Sequence, residues 1–247
     1  MSLLLALDTS GAAVTVALAQ VADEAQLLAE RGVELAGQHA ERLAPMIAEV
    51  LDASGYRIAD VGTVAVGVGP GPFTGLRVGL VTARVLGQVL GVPVLGVCSL
   101  DALALQLIEA GGVEPGTRFV VATDARRREV YWAEYRAEDR LEDRAGSEVV
   151  AGGVLPQRLS GPAVDRPAEL AARLGDEPGP VPVFGRGARL YPELLGVPPE
   201  GLPLDVAGGA VARCAAVMRA RGELLEPMPM YLRRPDAVAP GVRKRVR

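Results

Sequence analysis

A stretch rich in glycine and proline, Gly-Pro-Gly-Pro-Phe-Thr-Gly-Leu-Arg at residues 69–77, is the first candidate for chemistry in this sequence. It lies between an apolar run and a segment with helical spacing, where a glycine-rich turn commonly holds a phosphate. Pro70 and Pro72 argue against that chemistry, because neither has a backbone N–H and both fix φ. The lysine of a triphosphate loop and the G-x-G-x-x-G spacing are also missing. We therefore predict a rigid elbow that positions the following helix.

Residues suited to nucleophilic, acid–base or metal chemistry are few. The chain has one histidine, His39, and two cysteines, Cys98 and Cys214. One histidine cannot build a multi-histidine metal site, and no cysteine–histidine pair is placed for nucleophilic catalysis. We expect His39, near the start of a predicted helix, to be structural. The carboxylates are many but dispersed, so the sequence predicts no catalytic residue and no metal site.

The composition limits the class of protein. The chain has 247 residues, of which 49% are hydrophobic, and a formal net charge of −4. This length can bury one large core or two smaller ones, and the acidity disfavours a broad nucleic-acid surface. Two cysteines in apolar surroundings suit buried thiols in a reducing compartment. No signal peptide or membrane-spanning stretch is evident, so we expect a cytoplasmic protein that does not contact a membrane.

Two similar units suggest a duplication. Residues 3–8 and 119–124 are predicted strands that end in Asp8 and Asp124, 116 residues apart. Each is followed by a turn and a second predicted strand, at residues 13–19 and 130–135. We therefore predict an α/β fold of two related halves, residues 1–112 and 113–247, the second with a basic C-terminal tail. That tail is either solvated or in contact with RNA or an acidic partner.

The first half reads as β-β-β-α-β-α-β-α. The predicted strands are 3–8, 13–19, 26–35, 64–68 and 92–97, and the predicted helices are 38–53, 74–90 and 99–109 with Ser99 as N-cap. In the second half we also predict a strand at 181–184 and a helix at 205–221. Residues 136–182 are charged and then rich in proline and glycine, and no element is assigned there.

The helix after the elbow carries small residues at every fourth position: Gly75, Gly79, Ala83 and Gly87. This spacing places them on one ridge. Three glycines in a helix cost about 2–3 kcal/mol relative to alanine, which the close approach of another backbone would offset. That backbone belongs either to the chain's own sheet or to a helix of another subunit, and both alternatives remain open.

Asp8-Thr9-Ser10 at a strand end resembles the phosphate turn of the sugar kinase, Hsp70 and actin superfamily. There a strand-terminal carboxylate holds a metal–phosphate, and hydroxyls line the turn. The alternative is a turn held by side-chain hydrogen bonds to its own backbone. Residues 185–188 resemble the adenosine turn of the same superfamily, whereas Gly208-Gly209-Ala210 equally suits a helix start.

Six segments, in order along nearly the whole chain, resemble the TsaB (YeaZ) family of bacterial factors for threonylcarbamoyladenosine in tRNA. They are Leu5-Ala-Leu-Asp-Thr-Ser10, His39-Ala-Glu-Arg-Leu-Ala-Pro45, Gly67-Val-Gly-Pro-Gly-Pro-Phe-Thr-Gly-Leu-Arg77, Val97-Cys-Ser-Leu-Asp-Ala-Leu103, Asp124-Ala-Arg-Arg-Arg-Glu-Val-Tyr131 and Met230-Tyr-Leu-Arg-Arg-Pro235. The resemblance implies a duplicated actin-like fold and descent from a common ancestor with the catalytic subunit TsaD. TsaD has a metal-binding H-x-x-x-H where this sequence has Ser99 and Leu103, which cannot replace imidazole ligands.

The resemblance implies a non-catalytic subunit that is required for transfer of threonylcarbamoyl to N6 of adenosine 37, in tRNAs reading codons that begin with A. Its implied partners are TsaD, the ATPase TsaE, a second copy of itself, and tRNA through the complex. No cofactor is implied, although weak binding of ATP or ADP with magnesium at Asp8, Thr9 and Ser10 is left open. Together with the ridge, the resemblance implies a partner interface on the first-half helices, at Gly75, Leu76, Gly79, Leu80, Ala83, Gly87, His39 and Leu43.

A different class of function remains as the alternative. The chain could be an active ATPase or small-molecule kinase of the same superfamily that uses Asp8 and Asp124. The absence of an acid–base constellation in the sequence favours the scaffold role.

Overall fold

The computed structural model describes residues 2–22, 25–34, 38–137, 156–176, 179–223 and 225–233. Its strands are β1 (Ser2–Asp8), β2 (Ala13–Val21), β3 (Ala25–Glu34), β4 (Val61–Gly69), β5 (Val94–Cys98), β6 (Arg118–Asp124), β7 (Val130–Arg136), β8 (Gln157–Asp165) and β9 (Val183–Phe184). Its helices are α1 (His39–Ser54), α2 (Phe73–Leu90), α3 (Ser99–Glu109), α4 (Pro167–Gly175), α5 (Arg186–Leu190), α6 (Pro192–Leu195) and α7 (Gly208–Arg221).

The first sheet has the strand order β3-β2-β1-β4-β5. Strands β1, β2 and β3 form an antiparallel meander, and β4 and β5 run parallel to β1. The middle strands β1 and β4 are nearly continuous apolar runs because both of their faces are covered. Helices α1 and α2 cover one face through an apolar cluster that includes Leu43, Met46 and Leu76.

The second sheet has the order β8-β7-β6-β9, which repeats the first four strands of the first sheet. Strands β6, β7 and β8 again form an antiparallel meander, and β9 runs parallel to β6. The predicted duplication is therefore confirmed, and the fold is the duplicated actin-like α/β fold. Helices α3 and α7 lie between the sheets in a shared apolar cluster, and α4–α6 cover the outer face of the second sheet.

Packing crosses the sequence boundary between residues 112 and 113. Helix α7, from the second half of the sequence, lies on β1, β2 and β3 of the first sheet. A Cβ at Gly208 would come within 2.8 Å of the Ala17 nitrogen, so the glycine permits this close approach. We call the first sheet with α1 and α2 the first lobe, and the second sheet with α4–α6 the second lobe. Residues 225–233, which we call the C-terminal segment, also return to the first lobe. Gly96 donates to the Leu225 carbonyl at 2.9 Å, and Met230 donates to the Val68 carbonyl at 2.8 Å.

Every predicted strand and helix of the first half is present, with shifts of a few residues at the ends. The prediction that Ser99 caps α3 is wrong, since Cys98 occupies that position and the Ser99 hydroxyl points to Asp8 instead. Strand β8 and helices α4, α5 and α6 were not predicted. Of the basic tail, Arg233 is described, whereas Arg234, Arg243, Lys244, Arg245 and Arg247 lie outside the described residues.

Candidate functional site

The turn after β1 is closed by the Asp8 carboxylate. Asp8 is 2% exposed. Its Oδ1 accepts hydrogen bonds from the Ser10 backbone N–H at 2.8 Å and the Ser10 hydroxyl at 2.7 Å. Its Oδ2 accepts one from the Ser99 hydroxyl at 2.6 Å, and Ser99 in turn accepts from the Gly69 N–H at 3.2 Å. The carboxylate therefore joins the ends of β1 and β4 to the start of α3.

Burial raises the pKa of the Asp8 carboxyl, and the hydrogen bonds from Ser99 and Ser10 oppose that rise only in part. Asp205 on the facing side adds a smaller rise through like charge. A Cβ at Gly67 would overlap the Asp8 carboxylate, so glycine leaves the room for this buried acid. The site thus fixes the position of the carboxyl group, while its burial disfavours the ionised form.

The Thr9 hydroxyl lies between two backbone groups of α2. Its hydroxyl donates to the Gly75 carbonyl at 2.7 Å and accepts from the Gly79 N–H at 3.0 Å. In a regular helix these two groups would pair directly with each other. A Cβ at Gly75 would lie 2.7 Å from the Thr9 carbonyl oxygen, and a Cβ at Gly79 would lie 2.6 Å from the Thr9 hydroxyl. The two glycines are thus required for the turn to reach the helix.

The Asp8 turn is consequently filled by its own chain. The side-chain oxygens of Asp8, Thr9 and Ser10 all bond within the protein, and none of the three residues is more than 5% exposed. In this geometry a metal–phosphate would have to replace the hydrogen bonds that Ser10 and Ser99 make to the carboxylate. The contacts observed at these residues join β1 to α2 and α3, and cofactor binding by them stays a prediction.

The small-residue ridge of α2 is not a free surface. Gly79, Ala83 and Gly87 are buried in the chain itself, where Gly87 accommodates the Val94 side chain of β5. The predicted interface residues Leu76, Leu80 and Leu43 are at most 3% exposed and belong to the core beneath α1 and α2. Of the two alternatives left open for the ridge, the structure shows the first, because the chain's own turn and strand occupy it. A larger side chain at Gly79 would therefore clash with Thr9 and destabilise the fold of the chain itself.

His39 and Gly75 lie at the edge of the same contact and are half-buried. The His39 Nε2 donates to the Gly11 carbonyl at 3.1 Å. His39 thus attaches the start of α1 to the β1–β2 turn, a structural role within the chain.

The opposite side of α2 carries an exposed apolar stripe that the sequence reasoning overlooked. Val81, Val85 and Val89 are 59%, 52% and 76% exposed, and their spacing of four places them in one row. Beside them a groove of about 420 Å³ lies between α1 and α2. Its apolar lining is Ala44, Ile47, Ala48, Leu51, Tyr56, Ile58 and Leu86, with Thr82, Asp52 and Arg57 as polar members. We call the stripe and groove together the valine face.

The turn after β6 differs from the Asp8 turn, although its strand also ends in aspartate. Asp124 is half-exposed, accepts from the Arg126 N–H at 2.8 Å, and pairs with the Arg126 guanidinium at 3.4 Å. Arg126, Arg127 and Arg128 have φ angles of 60°, 55° and 62°, and all three are exposed. This turn presents positive charge to solvent.

The segment predicted as an adenosine turn packs against the second sheet. Gly185 and Gly187 permit close contact with Ala122, where a Cβ would come within 2.7 and 2.8 Å respectively. Arg186 forms ion pairs with Asp205 and, at 2.8 Å, with Glu34 of β3. These pairs raise the pKa of the guanidinium, and the Glu34 pair connects α5 to the first sheet.

Ser99 and Leu103, where the resemblance implied that TsaD has its metal-binding histidines, have structural contacts in this chain. Ser99 bonds to Asp8, and Leu103 lies fully buried in the central cluster. Within the described part of the chain, no three His, Cys, Asp or Glu side chains are grouped so as to hold a metal ion. Among the same residues, no helix has the length and apolarity needed to cross a bilayer.

The repeated sheet order defines the class as an actin-like α/β protein, in which the Asp8 turn is closed by internal hydrogen bonds. A family model described as "TsaD: tRNA N6-adenosine threonylcarbamoyltransferase" matches residues 29–176. The structure titled "YeaZ from Pseudomonas aeruginosa" superposes with a TM-score of 0.72 at 31% identity, over 94% of this chain and 100% of that chain. The chain belongs to the TsaB (YeaZ) family.

Sequence relatives agree with this assignment. An uncharacterized protein of Mycobacterium tuberculosis is 38% identical over 236 residues, which cover 96% of this chain and 94% of the relative. The Escherichia coli tRNA threonylcarbamoyladenosine biosynthesis protein TsaB is 38% identical over 102 residues, which cover 41% of this chain and 43% of that protein. The family is therefore one of tRNA modification, as the resemblance implied.

Proposed function

We propose that this chain is a non-catalytic subunit that pairs with TsaD through the valine face and is required for threonylcarbamoyl transfer to adenosine 37 of tRNA. The observation that carries the proposal is the row of exposed valines beside an apolar groove on α1 and α2. The substrates are taken to be tRNAs that read codons beginning with A.

The valine face has the composition of a protein interface. Three β-branched side chains more than half exposed in one row leave apolar area in water, which burial against a partner would remove at about 25 cal/mol per Å². Asp52 and Arg57 at the groove margin supply the polar rim that such interfaces have. The interface helices of the prediction are thus retained, but the proposed contact moves from the glycine side to the valine side.

The proposed partner follows from the family match. The TsaD family model covers residues 29–176, a range that includes α1 and α2, so the paralogue is expected to carry the same helix pair. Two similar helix pairs can face each other about an approximate two-fold axis. A second copy of this chain could use the same face, and we therefore propose that a homodimer competes with the TsaD complex.

The filled Asp8 turn supports a role without catalysis. A buried carboxylate with three internal hydrogen bonds is poorly placed to hold magnesium and phosphate, which argues against an ATPase or kinase that uses Asp8 and Asp124. We assign no cofactor to this chain, and we place the reaction centre in TsaD and ATP hydrolysis in TsaE.

The test is Val85→Asp, with Val197→Asp as the matched control. Val197 is 75% exposed but lies in the second lobe, away from α1 and α2. A buried unpaired carboxylate at the interface should weaken the affinity for TsaD by at least about 100-fold. Adenosine 37 modification, reconstituted with TsaD, TsaE and tRNA, should fall in parallel, while thermal unfolding of the isolated chain stays unchanged.

If Val85→Asp binds TsaD with wild-type affinity, the valine face is not the TsaD interface. Full modification in a reaction that lacks this chain would overturn the required role itself. Turnover of Mg-ATP by the isolated chain would favour the enzyme alternative.

A further inference from the structure

The turn that follows β6 has an unusual backbone for its residue types. Three successive arginines, Arg126, Arg127 and Arg128, lie in the left-handed region, which costs roughly 1–2 kcal/mol for each residue other than glycine. The turn is held by hydrogen bonds from Ala125 N–H to the Glu129 carbonyl and from Glu129 N–H to the Arg126 carbonyl, both 3.0 Å. Glycine or asparagine would fit this backbone with less strain, so arginine here indicates a role for the side chains.

The C-terminal segment brings further positive charge to the same end of the molecule. Arg233 donates to the Ala125 carbonyl at 3.3 Å and pairs with Glu129. Tyr231, two residues earlier, stacks on Phe73 at 4.9 Å and accepts a hydrogen bond from Arg77 at 3.2 Å. The C-terminal segment thus contacts both the start of α2 and the turn after β6.

These residues form a local basic cluster on an acidic protein. We call Arg126, Arg127, Arg128 and Arg233 the arginine face. Residues 124–129 contain three arginines and the two carboxylates of Asp124 and Glu129, and Arg233 adds a fourth arginine, whereas the whole chain has a net charge of −4. This local excess of positive charge would attract a polyanion.

We propose that the arginine face binds the phosphate backbone of the tRNA, an inference that rests on the proposed role in tRNA modification. Guanidinium groups are suited to phosphate oxygens because they donate two parallel hydrogen bonds and remain charged at all relevant pH values. The strained backbone holds Arg127 and Arg128 on an exposed turn without a flexible loop. An acidic surface of a partner protein is the competing ligand that the experiment must separate.

The test compares Arg127→Gln/Arg128→Gln with Arg189→Gln/Arg221→Gln, which removes the same charge from exposed arginines of α5 and α7. The affinity of the complex with TsaD for tRNA, and that of the chain alone, is measured from about 0.05 to 0.3 M salt. Loss of two phosphate contacts should make the negative slope of log K against log salt shallower by about 1.4–1.8. The affinity at 0.1 M salt should fall about tenfold or more, and the control should change neither quantity.

Unchanged slope and affinity in both preparations would overturn the proposal, as would an equal loss in the control. A loss of TsaD binding with unchanged tRNA affinity would identify the face as a protein contact and would also overturn it. The proposed role in modification is judged separately by reconstitution, which can succeed with wild-type chain even if the arginine face proves irrelevant to tRNA.

Discussion

The two turns that follow β1 and β6 begin from the same unit, a strand that ends in aspartate, and reach opposite results. At Asp8 the hydroxyls of Thr9, Ser10 and Ser99 fill the turn, and helix α2 lies directly on it. At Asp124 the carboxylate bonds locally to Arg126, and Arg126, Arg127 and Arg128 are exposed. The two turns occupy equivalent positions in the duplicated fold. The Asp8 turn is buried and connects β1 to α2, whereas the Asp124 turn is exposed.

The difference lies in the side chains rather than in the strand pairing. Short hydroxyl side chains can bond inward to a carboxylate or a helix backbone, so the first turn closes. Long guanidinium side chains cannot be enclosed without burying charge, so the second turn remains open. A strand that ends in aspartate therefore does not by itself identify a phosphate site, and the next two residues decide what the turn does.

The largest expected contrast between the turns is in stability. Asp8→Ala leaves the Ser10 N–H and the Ser10 and Ser99 hydroxyls without their acceptor, and we expect it to lower the free energy of unfolding by about 3 kcal/mol. Asp124→Ala removes exposed contacts and should cost less than about 1 kcal/mol. Urea unfolding of both variants measures the contrast, and equal losses would mean that the two turns do not differ in this way.

A smaller effect is expected at Thr9. Thr9→Val keeps the shape of the side chain but removes the hydroxyl between the Gly75 carbonyl and the Gly79 N–H, which should cost about 2 kcal/mol. Thr9→Ser keeps both hydrogen bonds and serves as the control, with a loss below about 1 kcal/mol. Hydrogen exchange at the Gly79 amide should be faster in the valine variant alone. Unchanged protection there would show that the hydroxyl is not needed in the helix.

The smallest effect has the opposite sign. Arg128→Gly relieves a positive φ of 62° and should raise the free energy of unfolding by about 0.5 kcal/mol, after the entropy that glycine adds to the unfolded chain. The same change at Arg136, an exposed strand position in β7, should lower it by about 1 kcal/mol. Thermal unfolding distinguishes the two signs, and a loss of stability at both positions would argue against strain in the arginine turn.

Much of the fold was predictable from the sequence because the first half has clear apolar runs for strands and clear helical spacing for helices. Apolar runs gave β1, β4 and β6, and the spacing of Leu43, Met46 and Ile47 gave α1. Strand β8 was missed because Gly161 and Pro162 interrupt it, and proline is poorly tolerated inside a sheet. It is an edge strand whose register shifts at this point, so the missing N–H costs little.

The site was less predictable because its contacts join residues distant in sequence. The spacing of Gly75, Gly79 and Gly87 correctly indicated a close approach, but it could not identify Thr9 and Val94 as the groups that approach. Periodicity also could not tell which side of α2 the sheet covers, because both sides carry residues at intervals of four. The exposed valines therefore appeared only once the packing of the helix was known.

The C-terminal segment has a consequence for the whole molecule. It is attached to the first lobe at Gly96 and Val68 and to the second lobe at Ala125 and Glu129. A motion that separated the two lobes would have to break these attachments together with the Arg186–Glu34 pair. With the two proposed surfaces in use, these attachments would limit how far a partner on α2 could move relative to a ligand on the arginines.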